Sequence, residues 1–222
     1  MRIALFGGTF DPIHAGHVRA AKAAARKFRL DQILFVPSGQ PPHKVKDRLT
    51  PFPHRYAMVT LACTEDPRFV ASLLESPTPD GRPRYSVDTV AAARRLLARD
   101  DELFFLIGVD AFLDLPQWKD YRRLLDSVNF IVVSRPGFAL AEIAKTIPSS
   151  LLGKPSGRTP PNTLTMRHTS LHVLEGVAMA VASREIREAI AAGRPVTGLV
   201  PPLVEEYIRK EGLYRPAPGH RR

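Results

Sequence analysis

The stretch from Leu5 to His17, LFGGTFDPIHAGH, sets His14 and His17 three positions apart, just behind the paired Gly7 and Gly8. Two imidazoles at that spacing project from one side of a turn entering a helix. From there they can donate hydrogen bonds to phosphate oxygens and, when protonated, stabilise charge that develops in a transition state. Glycines without side chains let the backbone approach a phosphate closely, and the N–H groups and dipole of a following helix favour an anion. The same H-x-x-H pair fits a metal pair or two satisfied core histidines, although neither an E-x-x-H context nor a cysteine partner stands near it. The stretch holds neither G-x-G-x-x-G nor G-K-[ST], so it is not the dinucleotide fingerprint or a P-loop.

The elements that must hold these residues can be read along the chain. RIALF forms a first strand, Gly7 and Gly8 the turn that leaves it, and a helix begins within or just after PIHAGH. Apolar runs and helical patterns then alternate: QILFV, a helix from about Phe52, RFVAS, a helix from Ser86 to Ala98, LFFLIG, a short helical stretch from Tyr121 to Leu125, and NFIVVS. That alternation predicts an α/β fold, a doubly wound parallel sheet with helices on both faces and ligands at the carboxyl ends of the strands. Pro148 to Asn162 is rich in Pro, Gly and Ser and reads as a long loop, after which SLHVLEG can supply another strand. Two helices close the chain. Ser183 is placed as the N-cap of the first, with Ile186 and Ile190 inward and Gly193 ending it; the second follows Pro201 and Pro202 and buries Leu203, Val204, Tyr207 and Ile208 before Gly212.

Composition bounds the rest. The chain of 222 residues fits one domain, 1–222, with the C-terminal helices packed on it and the tail 216–222 disordered. A lone cysteine, Cys63, excludes a disulfide framework and a multi-thiolate zinc site. No apolar run approaches the roughly 20 residues that span a bilayer, and MRIALFGG is too short for a signal peptide, so the reading is a cytoplasmic protein with no membrane partner. The formal charge of +10 points to anionic partners. Part of it forms a stripe at Arg19, Lys22, Arg26 and Arg29 opposite Val18, Ala21, Ala25 and Phe28, which reads as a solvated helix face because no aromatic residues interleave with the charges to stack bases.

GGTFDPIHAGH resembles the signature of the nucleotidyltransferase superfamily, whose members share an H-x-G-H element, and within it the bacterial nicotinate-nucleotide adenylyltransferase family. PPHK at Pro41 to Lys44, RYSVDTV at Arg84 to Val90, FFLIGVDAFLDLPQWKDYRRLL at Phe104 to Leu125 and VVSRPG at Val132 to Gly137 are similar to that family's further motifs in the same order. The resemblance implies a Rossmann-like sheet and a reaction in which the 5′-phosphate of nicotinate mononucleotide attacks the α-phosphorus of ATP, with Mg²⁺ carried on the ATP phosphates. It assigns His14, His17 and Lys44 to catalysis. Gly7, Gly8, Thr9, Phe10, His14, His17, Gly108, Ser183, Arg184 and Arg187 fall to ATP. Lys44, Tyr85, Ser86, Asp110, Trp118 and Arg135 fall to nicotinate mononucleotide, with the Trp118 ring as a stacking face for the pyridine. No protein-held metal and no nucleic-acid partner are implied, and the oligomeric state stays open, a homodimer included.

One motif departs from the family pattern. Where the family shows an ISSTxIR element, this chain has VASREIR at Val181 to Arg187, so Ala182 and Arg184 replace two hydroxyl residues. Either Arg184 and Arg187 supply charge to the phosphates from the start of a helix, where a cation is otherwise disfavoured, or Glu185 and Glu188 neutralise them locally. Asp110 can orient a ribose hydroxyl or a basic neighbour, or act as a helix N-cap. The alternatives to adenylyl transfer onto nicotinate mononucleotide are another small acceptor, such as phosphopantetheine, and a noncatalytic nucleic-acid-binding module.

Overall fold

The computed structural model describes residues 1–40, 49–134, 140–154, 160–177 and 181–216. Its strands are β1 (Arg2–Gly8), β2 (Gln32–Pro37), β3 (Phe69–Ala71), β4 (Glu102–Gly108), β5 (Asn129–Val133), β6 (Thr163–Thr165) and β7 (Ser170–Leu174). They form a sheet of order β3-β2-β1-β4-β5-β7-β6, parallel throughout except for the antiparallel edge pair β6 and β7. The helices are α1 (Ala15–Lys27), α2 (Phe52–Cys63), α3 (Ser86–Leu96), α4 (Val109–Leu113), α5 (Tyr121–Ser127), α6 (Leu140–Lys145), α7 (Ser183–Ala191) and α8 (Pro202–Lys210).

Residues alternating along each strand feed two separate cores, one on each face of the sheet. Ala4 and Phe6 of β1 with Phe104 and Leu106 of β4 face α1, α2, α7 and α8. Ile3, Leu5, Leu103, Phe105 and Ile107 face α3, α4, α5 and α6. The doubly wound sheet expected from the sequence is thus the one observed. Because β1 has β2 on one side and β4 on the other, the winding reverses between β1 and β4, and their carboxyl ends, Gly8 and Gly108, border the crevice where such sheets bind ligands.

Two sequence expectations are corrected, and one strand is additional to them. Just past the loop expected from Pro148 to Asn162, Thr163–Thr165 adds the edge strand β6 against β7. Three residues are too few for a period-2 pattern to register. Ala182, not Ser183, occupies the N-cap of α7, because the Ser183 hydroxyl is turned away to the Pro12 carbonyl while the Glu185 carboxylate accepts the Ala182 backbone N–H. Leu203 is exposed rather than buried on α8, whose inward face is Val204 and Ile208. The basic stripe on α1 is a surface as expected, with Arg19, Arg26 and Arg29 exposed and Lys22 paired to Glu65.

Candidate active site

The glycine-histidine stretch spans the end of β1 and the start of α1. His14 is the N-cap of α1, with extended backbone, and His17 is the third residue of the helix. The two rings complete a reciprocal cap in which the His17 N–H donates to His14 Nδ1 at 3.4 Å and the His14 N–H donates to His17 Nδ1 at 3.2 Å. They stack with centroids 3.6 Å apart. With both Nδ1 atoms accepting, each neutral ring carries its proton on Nε2, which is therefore the atom free to donate to a ligand.

Both imidazoles are held neutral. Burial, and then the Arg19 charge, brings His14 down to about 4, and burial with the adjoining His14 holds His17 well below the ordinary histidine range. The aromatic edges of Phe6 and Phe10 pack on the His17 ring at 5.8 and 5.0 Å. Phe10 is 2% exposed and belongs to the core, so its side chain supports His17 rather than facing a nucleotide.

Gly8 serves this packing directly. A Cβ there would stand 3.0 Å from the Phe10 ring, so the missing side chain makes room for Phe10. Gly108, by contrast, would meet nothing within 4 Å, leaving its backbone open to close approach at the end of β4. The start of α1 is less open as an anion site than the sequence suggests, because the Ala15 N–H donates to the Leu199 carbonyl and the His17 N–H to His14.

Ser183 and Arg187 do reach the motif, but by its backbone. The Ser183 hydroxyl donates to Pro12 O at 2.9 Å and Arg187 Nη1 donates to Asp11 O at 2.6 Å. Arg184 does not join them. Its side chain is 80% exposed and paired with Glu188 at 2.7 Å, so the local neutralisation holds for Arg184 alone, while Glu185 is taken up by the Ala182 N–H.

A second group forms beside α3 and α4. Tyr85 is the N-cap of α3 and Ser86 its first residue, where backbone N–H groups have no intrahelical partner and can receive a carboxylate. Trp118 is half-buried, its ring edge-on to Phe105 at 6.5 Å. Lys119 Nζ lies 4.4 Å from the centre of the Tyr85 ring, which ties the Trp118 segment to the start of α3. Asp110 is an exposed residue in the first turn of α4 and not its N-cap, which is Gly108. Lys44 and Arg135 lie outside the described residues.

Two buried residues around the site were not anticipated. Arg55 of α2, 1% exposed, donates from Nε to Thr50 O at 2.9 Å, from Nη1 to Thr9 O at 2.8 Å and from Nη2 to Gly39 O at 3.2 Å. One guanidinium thus fastens the turn after β1, the turn after β2 and the entry to α2. Glu75, 8% exposed, contacts the Thr89 hydroxyl at 2.7 Å and the Ser38 side chain, and burial raises its pKa. The Thr89 hydroxyl also lies 3.2 Å from Tyr85 O. That hydroxyl donates to Glu75 Oε1, so the carboxyl and the start of α3 are joined through one side chain. Cys63 is no nucleophile, its thiol pushed up to about 12 by burial.

Among the described residues, no cluster of three or more His, Cys, Asp and Glu side chains could hold a metal ion, and no helix is long and apolar enough to cross a membrane. A surface groove of about 600 Å³, lined by Ile190, Arg194, Val196 and Ile208, lies at the far end of α7 from Ser183 and carries none of the candidate site residues.

Comparison with known proteins places this arrangement. The cytidylyltransferase-like family model matches residues 5–189. A probable nicotinate-nucleotide adenylyltransferase of Thermus thermophilus is 42% identical over 215 residues, covering 97% of this chain and 100% of that protein. The chain belongs to the nicotinate-nucleotide adenylyltransferase family. A second member of that family, from Desulfotalea psychrophila, is 40% identical and covers 96% of this chain and 99% of its own. Among solved structures, Plasmodium falciparum nicotinic acid mononucleotide adenylyltransferase complexed with NaAD superimposes with a TM-score of 0.72 at 18% identity, covering 96% of this chain and 97% of that one. That likeness shows the shared fold.

Proposed function

We propose that this protein transfers the adenylyl group of ATP to nicotinate mononucleotide, forming nicotinate adenine dinucleotide and pyrophosphate as a step of NAD biosynthesis. Family membership at about 40% identity over nearly the whole length supports the reaction. The observation from the structure that carries it is the stacked, neutral His14–His17 pair at the crevice between β1 and β4, with both Nε2 atoms left as donors. A 5′-phosphate oxygen of the acceptor forms a bond to the α-phosphorus of ATP, the bond from that phosphorus to the bridging oxygen breaks, and pyrophosphate leaves. No covalent enzyme intermediate is needed, so the protein's part is to align two anions and to donate into the charge that grows on the phosphate oxygens.

The imidazoles of His14 and His17 meet the triphosphate, with Gly7, Gly8 and Thr9 lining the turn beneath it and Gly108 admitting the nucleotide at the end of β4. Lys44 and Arg135 add positive charge to the phosphates. Ser183 and Arg187 shape the phosphate site through the loop carbonyls they hold. Tyr85 and Ser86 receive the nicotinate carboxylate at the start of α3, with the Trp118 ring flanking the pyridine and the exposed Asp110 reaching a ribose hydroxyl. Mg²⁺ arrives with ATP and neutralises phosphate charge when bound. The donor set fits an ion held by phosphate and water, because Asp11, the carboxylate nearest the histidines in sequence, is engaged with Thr50 and Tyr214. The packing of α7 and α8 into the same core as α1 and α2 supports a single catalytic unit.

Purified protein incubated with ATP and Mg²⁺ should release pyrophosphate with nicotinate mononucleotide, and His17→Ala should abolish it. Release only with phosphopantetheine would reassign the acceptor. No release with any acceptor would end the transferase reading.

A further inference from the structure

Asp11 lies inside the glycine-histidine stretch, yet adenylyl transfer gives its carboxylate nothing to do. The residue is 3% exposed, and both oxygens are used within the fold. Oδ2 accepts the Thr50 backbone N–H at 3.2 Å and Oδ1 accepts the Tyr214 hydroxyl at 2.7 Å. Tyr214 comes from the segment after α8, 203 positions along the chain, and stands at a φ of 65°, in the left-handed region that a tyrosine enters only when its surroundings hold it. Burial, with Asp11 adding to it, raises the pKa of the phenol, which keeps its proton as a donor.

The same loop is gripped at three more points by this end of the chain. Arg187 holds Asp11 O, Ser183 holds Pro12 O, and Leu199 O accepts the Ala15 N–H. Residues 183–214 therefore touch the chain at Asp11, Pro12 and Ala15, on the approach to both catalytic imidazoles. Stability alone does not require a carboxylate here, since a buried charge is costly unless well bonded and an apolar pair can replace such a contact without loss. What a short hydrogen bond to a charged acceptor adds is direction.

We propose that Tyr214 is a positioning residue whose hydroxyl, acting through Asp11, sets the loop that presents His14 and His17 to the triphosphate. The inference rests on the transfer reaction proposed above. Tyr214→Phe keeps the ring and removes only the oxygen, leaving Asp11 Oδ1 buried without that donor.

At a temperature where every variant is folded, Tyr214→Phe should lower kcat about tenfold while the KM for nicotinate mononucleotide stays within about twofold. Amide hydrogen exchange should quicken at residues 11–17 and stay unchanged in β4 and β5. Asp11→Asn combined with Tyr214→Phe should lower kcat by less than the product of the single effects, because both act on one contact. Tyr207→Phe is the control. It removes another phenol of the same C-terminal unit, bonded to His54 Nδ1 at 2.9 Å, and should leave kcat unchanged.

A Tyr214→Phe protein with wild-type kcat and wild-type exchange at residues 11–17, whatever its melting temperature, would overturn the proposal. If the wild type transfers nothing to any acceptor, the transfer reading falls, while exchange at residues 11–17 still decides whether Tyr214 holds the loop.

Discussion

The rings of His14 and His17 stack 3.6 Å apart, and each Nδ1 accepts the other residue's backbone N–H. The pair is at once a helix cap and, in the proposed reaction, the donor set for the phosphates. Its first consequence is in pH. A histidine whose folded pKa is depressed gives stability that is present above the unfolded value near 6.5 and lost as pH falls through the folded one, which for His14 is about 4. The melting temperature should therefore decline between pH 6.5 and 4, and His14→Ala should flatten that decline while removing about 1 kcal/mol of capping at neutral pH. A decline equally steep in the variant would place its origin elsewhere.

ATP binding should reverse the balance at these rings. A triphosphate beside Nε2 favours the charged imidazole, and two cations 3.6 Å apart repel, so the pair should take up no more than one proton. Calorimetric titration with a non-hydrolysable ATP analogue, in buffers of different ionisation heat near pH 7, should show proton uptake by the wild type. Uptake that persists in a His14→Ala, His17→Ala double variant would show that other groups titrate.

The sequence displays the sheet because strands buried on both faces must be continuous apolar runs, as RIALF and LFFLIG are, and the crossover helices between them have their own period. It displays the histidine pair because the reciprocal cap, like the proposed catalysis, needs those side chains at that spacing. It hides the loop's supports. Arg55 works by donating to the carbonyls of Thr9, Gly39 and Thr50, and backbone acceptors leave no partner residue type to look for. Tyr214 and Asp11 are separated by nearly the whole chain, so no local pattern joins them. Of the two readings of Arg184, the local pairing is the one seen, because an arginine four residues before Glu188 on an exposed helix face meets that carboxylate.

Arg55 gives a prediction of its own. Lysine keeps the charge but offers one compact ammonium in place of the planar fork, and it cannot serve three carbonyls in three directions. Arg55→Lys should lose at least about 2 kcal/mol of stability, measured by urea unfolding, through buried carbonyls left without donors. Arg184→Ala, measured alongside, should leave stability and transfer rate unchanged, since the side chain it removes is exposed and reaches only Glu188. Equal behaviour of the two variants would contradict this division of roles.

On the acceptor side, the Lys119 ammonium lies 4.4 Å from the centre of the Tyr85 ring, at the start of α3. Lys119→Met should raise the KM for nicotinate mononucleotide roughly threefold. Trp118→Ala should raise it about tenfold through loss of the stacking face. Neither change should alter the KM for ATP, and steady-state kinetics with each substrate varied in turn would separate the two sides.

Glu75 couples those sides, since its carboxyl contacts Ser38 after β2 and Thr89 of α3, whose hydroxyl in turn reaches the Tyr85 carbonyl. Desolvation raises its pKa, so its stabilising contribution is complete below the unfolded carboxylate value, near 4.5, and is lost as pH rises through the folded value. Glu75→Gln removes the charge that burial disfavours, and its amide oxygen can still accept from the Thr89 hydroxyl. The variant should gain stability relative to wild type as pH rises above 4.5, measured by urea unfolding across that range. A stability difference from wild type that is the same at pH 5 and pH 8 would place the origin of any pH dependence elsewhere.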